Sequence, residues 1–163
     1  MWSVWRYNSK GCLKDPHVQV HPQILFGPGA YLTPDFVEKH QITHVINCAQ
    51  EEFSPTWFKQ KYPDKYVCLN AIDSHDVEIL LWYPKFRLKM NEFLKQGTVY
   101  VHCQAGINRS GFLTLMFLCS ELNYPLEQTE LRIIKTRPCA LTNIKFRQEI
   151  YAKLKSALAY EYG

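Results

Sequence analysis

One stretch of the 163-residue chain concentrates residues that could do chemistry: Val99-Tyr100-Val101-His102-Cys103-Gln104-Ala105-Gly106-Ile107-Asn108-Arg109-Ser110-Gly111. An apolar, β-branched run ends at a cysteine, five uncharged residues follow, and an arginine leads into an apolar run of helical length, Phe112 to Leu122. The pattern predicts a strand, a tight loop and a helix, with the loop at the helix N-terminus. Such a loop gathers backbone N–H groups at one spot, and the helix dipole adds partial positive charge there, so a phosphate fits it. Gly106 can supply a positive φ, and Gly111 lets the first helical turn approach its neighbours. A thiol in that position beside a guanidinium is set up as a nucleophile. Arg109 offers a planar fork of donors that can grip two phosphoryl oxygens at once. Ser110 could donate a hydrogen bond to the cysteine sulfur and make it a better leaving group. An arginine six positions after a cysteine is a weak signal alone. The same offset from Cys12, Cys48, Cys68, Cys119 and Cys139 reaches Val18, Ser54, Ser74, Pro125 and Lys145, so only Cys103 matches.

The elements that must position this stretch fit one domain of ordinary size. Hydrophobic residues make up 47% of the chain and aromatics 14%, which excludes a disordered chain. The net charge of +4 suits an anionic substrate and falls short of a nucleic-acid-binding face. No apolar run approaches the ~20 residues of a membrane span. Six cysteines show no CxxC pairing or metal spacing, and no apolar segment follows Met1. We therefore expect reduced thiols, no metal, no cofactor, no nucleic-acid partner, no membrane association, and a cytoplasmic or nuclear location.

In chain order, residues 1–17 read as an N-terminal arm and 18–163 as the domain. Trp2, Trp5 and Tyr7 could dock the arm on its own domain, on a partner or on a second copy. Strand-like runs are expected at Val18 to Phe26, at Ala30-Tyr31-Leu32 after a Gly27-Pro28-Gly29 turn, at Thr43 to Cys48, at Tyr66 to Asn70 and at Thr98 to His102. Pro34 opens a short helix to His40. Gln50 to Asp64 is a connection that Trp57 and Phe58 would anchor. Val77 to Gln96 has a helical pattern interrupted by Pro84, so the helix either kinks there or starts near Trp82. Leu126 to Thr136 is a further helix with Leu131, Ile133 and Ile134 facing the core. Arg137-Pro138 breaks it, Arg137 reading as a solvated helix-end residue. Thr142 or Asn143 can cap a last helix from Ile144 to Tyr160, with Phe146, Ile150, Leu154 and Leu158 on one buried face. Together these describe an α/β domain whose central, mostly parallel sheet of four to five strands is flanked by helices.

His102-Cys103 through Arg109-Ser110-Gly111 resembles the signature loop of cysteine-dependent protein phosphatases. The form Ala105-Gly106-Ile107-Asn108-Arg109-Ser110-Gly111 is most similar to dual-specificity phosphatases, including poxvirus-type and compact cellular members. "ITHVINCA" also resembles the opening of those domains, and the resemblance runs from about residue 18 onward. It implies hydrolysis of phosphotyrosine and phosphoserine or phosphothreonine in a protein substrate, through a phosphocysteine on Cys103. Arg109 and the loop residues Gln104, Ala105, Gly106, Ile107 and Asn108 would bind the phosphate.

Cleaving a phosphate monoester needs a proton for the departing oxygen, so a carboxylic acid near the loop is expected. The polar turn Ala71-Ile72-Asp73-Ser74-His75-Asp76 offers two. The resemblance implies an aspartate about thirty residues before the cysteine, first after a strand, which is Asp73 rather than Asp76; Asp76 reads as a helix N-cap. It also implies an asparagine at the break before the last helix that steadies the loop, matched by Asn143. His102 lies on the strand and reads as a structural histidine pointing away from substrate. Three rival functions share features of this loop. An RNA 5′-triphosphatase of the superfamily would typically have His where Ala105 stands, and no general acid. A phosphoinositide phosphatase would usually carry Lys within the loop. A phosphoprotein-binding pseudophosphatase would have lost the cysteine, the arginine or the acid.

Overall fold

The computed structural model describes residues 15–162, with side chains described to residue 156. Trp2, Trp5 and Tyr7 of the expected arm therefore lie outside the described residues, as does the side chain of Leu158.

Five strands form one mixed sheet: β1 (Val18–His21), β2 (Ile24–Pro28), β3 (His44–Asn47), β4 (Tyr66–Cys68) and β5 (Val99–Cys103). Their order is β1-β2-β5-β3-β4, with only β1 antiparallel to its neighbour. Strands β2, β3 and β5 are buried at every position, because helices cover both faces of a parallel sheet. The helices are α1 (Pro34–Lys39), α2 (Thr56–Lys61), α3 (Tyr83–Leu94), α4 (Arg109–Leu122), α5 (Leu126–Thr136) and α6 (Ile144–Tyr162). Side-chain alternation along β5 divides the core in two. Val99, Val101 and Cys103 join a large cluster with Phe86, Met90, Phe112, Phe117, Phe146 and Ile150 from α3, α4 and α6. Tyr100 joins a smaller one on the other face, with Leu25, Leu32, Val45 and Phe58. The nucleophile candidate thus shares the face covered by α4, and His102 shares the opposite face with Tyr100.

Several expectations need correction. Ala30-Tyr31-Leu32 is no strand: Gly29–Tyr31 forms a 3-10 turn directly after β2, which itself includes Gly27 and Pro28. The segment after Val77 is a 3-10 turn, Ile79–Leu81, and the true helix starts at Tyr83 with Pro84 in its first turn, where the missing N–H breaks no helical bond. Asp76 caps no helix; it sits exposed in a turn, its N–H donating to Ser74 Oγ. Leu131 is 54% exposed, since α5 buries the stripe of Thr129, Glu130 and Ile133 instead. Cys48, Cys68, Cys103 and Cys119 are free thiols, whereas Cys139 is disulfide-bonded, contrary to the all-reduced expectation. Sequence spacing does not reveal which thiols folding brings within bonding reach. Among the described residues no helix is long and apolar enough to cross a membrane.

The ring of Phe112, fully buried at the start of α4, meets Phe146 of α6 edge-on at 5.9 Å between centroids. Phe112→Ala should destabilise the fold by ~3–5 kcal/mol. In urea titrations the midpoint should fall with little change in slope.

Candidate active site

Strand β5 delivers Cys103 to the edge of the sheet and α4 begins six residues later, so residues 104–108 must reverse the chain in a small space. Gly106 makes this possible. Its φ is +66°, and a Cβ there would lie 2.3 Å from the Gly27 carbonyl carbon and 2.4 Å from the Pro28 nitrogen. Any side chain would meet both an unfavourable backbone region and the rigid backbone of β2. The turned loop encloses Cys103, which is 2% exposed and has Ser110 Oγ 3.2 Å from its Sγ. Gln104 is exposed, Ala105 half-buried, and Ile107 packs with Cys139 away from solvent.

Arg109 is the first residue of α4 and nearly buried. Its Nη1 donates to Gln50 Oε1 and to the Ala71 carbonyl, both at 3.1 Å. Its Nε is a buried donor without a partner, an arrangement suited to receiving an anion. The guanidinium is held by neutral acceptors, so its charge stays available to a ligand.

Two residues beyond Ala71, Asp73 stands exposed with both carboxylate oxygens accepting from amides: Oδ1 from Asn143 Nδ2 and Oδ2 from Asn108 Nδ2, each at 3.0 Å. Asn108 does more than line the loop. Its Oδ1 accepts from the Thr142 N–H at 2.8 Å, the Thr142 hydroxyl at 3.3 Å and the Asn143 N–H at 2.8 Å. The Asn143 side chain also caps α6, its Oδ1 accepting from the Phe146 N–H. Loop, acidic turn and last helix are thereby joined through two amides. Downstream, Glu149 of α6 accepts the N–H groups of Ile79 and Leu80 and braces the segment that carries Asp73; burial raises its pKa.

His102 is fully buried on the far face of the sheet. Its Nδ1 lies 3.1 Å from the Cys103 carbonyl oxygen and its Nε2 3.1 Å from Ser54 Oγ. Burial above all, helped by the Arg109 charge, pushes its pKa down to about 4. Asp76 stays outside the network of Asn108 and Asn143. Among the described residues no three His, Cys, Asp or Glu side chains are grouped to hold a metal ion.

Arg137 overturns its expected placement. The guanidinium is not solvated but completely buried, and among the described residues it is the largest fully buried side chain. Nε donates to the Gly106 carbonyl at 2.8 Å, Nη2 to Ala105 at 2.6 Å and Nη1 to Asp15 at 2.8 Å. An arginine followed by proline at a helix end carries no sequence sign of burial, because the acceptors come from residues more than thirty positions away. Gln50 was missed for the same reason.

Residues 25–156 match the model for the dual specificity phosphatase catalytic domain, and the chain belongs to that family. A probable dual specificity protein phosphatase of Dictyostelium discoideum is 30% identical over 132 residues, which cover 81% of this chain and 32% of that protein. Dual specificity protein phosphatase 19 of Mus musculus is 28% identical over 118 residues, covering 71% of this chain and 51% of that protein. The chain therefore spans about a third to about a half of the length of these curated relatives. Among solved structures, the human tyrosine phosphatase-like serine/threonine/tyrosine-interacting protein matches with a TM-score of 0.74 at 21% identity, over 87% of this chain and 97% of that one. A mouse putative dual specificity phosphatase complexed with zinc tungstate matches with a TM-score of 0.75 at 17% identity, over 90% and 91%. Both likenesses show a common fold.

The buried neutral His102 ties stability to acid. Its folded pKa, about 4, lies below the ordinary 6.5, so the unfolded chain binds more protons between these values. The stabilisation is fully present above about pH 6.5 and is lost as the pH falls through about 4, by up to ~3 kcal/mol. Urea titrations of the wild type at about pH 7 and about pH 5 should show that loss, and His102→Asn should reduce it. Gly106→Ala should lower stability by more than ~2 kcal/mol in the same assay.

Proposed function

We propose that the chain is a protein phosphatase that hydrolyses phosphotyrosine and phosphoserine or phosphothreonine through a phosphocysteine intermediate. The observation that carries the reading is the placement of three groups around one loop: the enclosed Cys103 thiol, the Arg109 guanidinium with a free buried Nε, and the exposed Asp73 carboxyl tethered to the loop by Asn108. Cys103 sulfur attacks phosphorus while Arg109 and the loop amides take the charge of the equatorial oxygens. The bond to the substrate oxygen breaks, and Asp73 gives that oxygen its proton. In the second step Asp73 takes a proton from water, which attacks phosphorus. The Cys103 sulfur leaves, eased by a hydrogen bond from Ser110, and inorganic phosphate forms. Positive charge from Arg109, the amides and the helix end makes a metal unnecessary in this scheme.

Acceptance of both phosphotyrosine and the shorter phosphoserine or phosphothreonine needs a shallow cleft. The connection after Gln50 is the one long enough to build a wall, yet its aromatics are committed elsewhere. Phe58 is buried in the smaller core cluster and Trp57 Nε1 donates to the Leu32 carbonyl at 2.8 Å. That supports dual specificity. Uncharged loop residues favour a phosphoprotein over a phosphoinositide, and Ala105 together with Asp73 disfavours the RNA triphosphatase reading. A cytoplasmic or nuclear location remains part of the proposal.

The test is turnover of an aryl phosphate and of matched phosphotyrosine and phosphothreonine peptides, with and without chelator. All three should be hydrolysed and chelator should change nothing. Cys103→Ser should abolish turnover while retaining phosphopeptide binding; appreciable residual activity would refute the nucleophile assignment. Asp73→Asn should lower kcat by ~10²–10⁴ on the phosphothreonine peptide and much less on an activated aryl phosphate. That pattern appearing with Asp76→Asn instead would reassign the acid.

A further inference from the structure

The loop around Cys103 is fastened from behind at three consecutive carbonyls. Arg137 donates to those of Ala105 and Gly106, and the Leu141 N–H donates to that of Ile107 at 2.9 Å. No peptide bond among the described residues is cis. In a planar trans peptide a carbonyl and the next residue's N–H point in opposite directions. Drawing back these three carbonyls therefore turns the N–H groups of Gly106, Ile107 and Asn108 the other way. None of the three donates to a protein acceptor among the described residues. Three unpaired amides in succession mark an anion cradle.

The charge of Arg137 points the same way. A buried guanidinium is costly unless its donors are satisfied and its charge is balanced. Carbonyl oxygens satisfy the donors: Ala105 and Gly106 on one side, Asp15 at 2.8 Å and Pro16 at 3.4 Å on the other. Among the described residues no carboxylate forms a salt bridge with it. The Asp15 carboxylate accepts from the Cys139 N–H instead. A positive charge thus stands directly behind the loop without a counterion, and a phosphate on the opposite side would balance it.

We infer that Arg137 is a positioning residue for the phosphoryl group: it aims the amides of Gly106, Ile107 and Asn108 and supplies positive charge through the loop without touching substrate. This rests on the phosphatase reading above and extends it to a side chain on the far side of the loop.

The experiment compares the wild-type chain with Arg137→Lys and Arg137→Met. It follows calorimetric binding of inorganic tungstate, steady-state hydrolysis of an aryl phosphate and thermal melting, with binding and kinetics measured well below each variant's Tm. The Lys variant keeps the charge but cannot span two carbonyls in a fork, and should lose about tenfold in tungstate affinity and in kcat/KM. The Met variant should lose ~10²-fold or more in both. A residue that only stabilises the fold would lower Tm yet leave tungstate affinity of the folded protein within about twofold of wild type; that result overturns the inference. Should Arg137→Met fail to fold, Arg137→Lys decides by the same criterion. A wild type that neither binds tungstate nor hydrolyses the ester would refute the phosphatase reading itself, whereas an active wild type with unaffected variants refutes only the role of Arg137.

Discussion

An anion cradle made from backbone needs amide N–H groups left unpaired on one side, which a folded chain tolerates only when the matching carbonyls are firmly bonded on the other. Between a central strand and a buried helix, the N–H groups of Gly106, Ile107 and Asn108 stand so, with the carbonyls of Ala105, Gly106 and Ile107 bonded behind them. Most features near the site follow from it. Gly106 combines a positive φ with the backbone of β2 directly behind it, where a Cβ has no room. The segment from Arg137 to Leu141 lies across the back of the loop because three carbonyls there need donors. Leu141 itself adopts a φ of +61° while buried, a strain that its bond to Ile107 and its place in the core help to hold.

Electrostatic arrangement around the loop separates charge from neutralising partners. Arg109 and Arg137 are both buried, and the donors they do pair meet neutral oxygens: Gln50 and Ala71 for Nη1 of the first, backbone carbonyls for the second. The carboxylate near the site, Asp73, is instead bonded to amides of Asn108 and Asn143. A direct pair between Asp73 and Arg109 would cancel positive charge beside the loop and tie up the carboxylate. Neutral amides hold both in place without that loss. His102 follows the same logic one layer deeper, kept uncharged behind Cys103 by burial.

Much of this was legible in the chain. The sheet, the loop and α4 could be read because their signals are local: a β-branched run, a glycine in a short uncharged loop, an arginine and an apolar helix within about twenty consecutive residues. Alternation along β5 likewise put Cys103 and His102 on opposite faces, and that is where they lie. Errors fell where tertiary contact overrode local preference. Ala30 to Leu32 looked extended but turns in a 3-10 arc, and Leu131 carried helical periodicity yet faces solvent because α5 presents a different stripe.

Where the loop stands, and which side chains are offered to it, is written in residue types and spacing, which suffice to specify a strand–loop–helix unit and its resemblance to a phosphatase signature. Residue types also confine the candidate acids to one turn. Folding in three dimensions is needed to bring Asn108 across 35 positions to Asp73, to set Gln50 against Arg109, and to bury Arg137 behind the loop. The physical reason lies in the carbonyls. Whether an arginine stays in water or enters the core depends on acceptors positioned to receive it, and those acceptors are backbone atoms whose direction no side-chain pattern encodes.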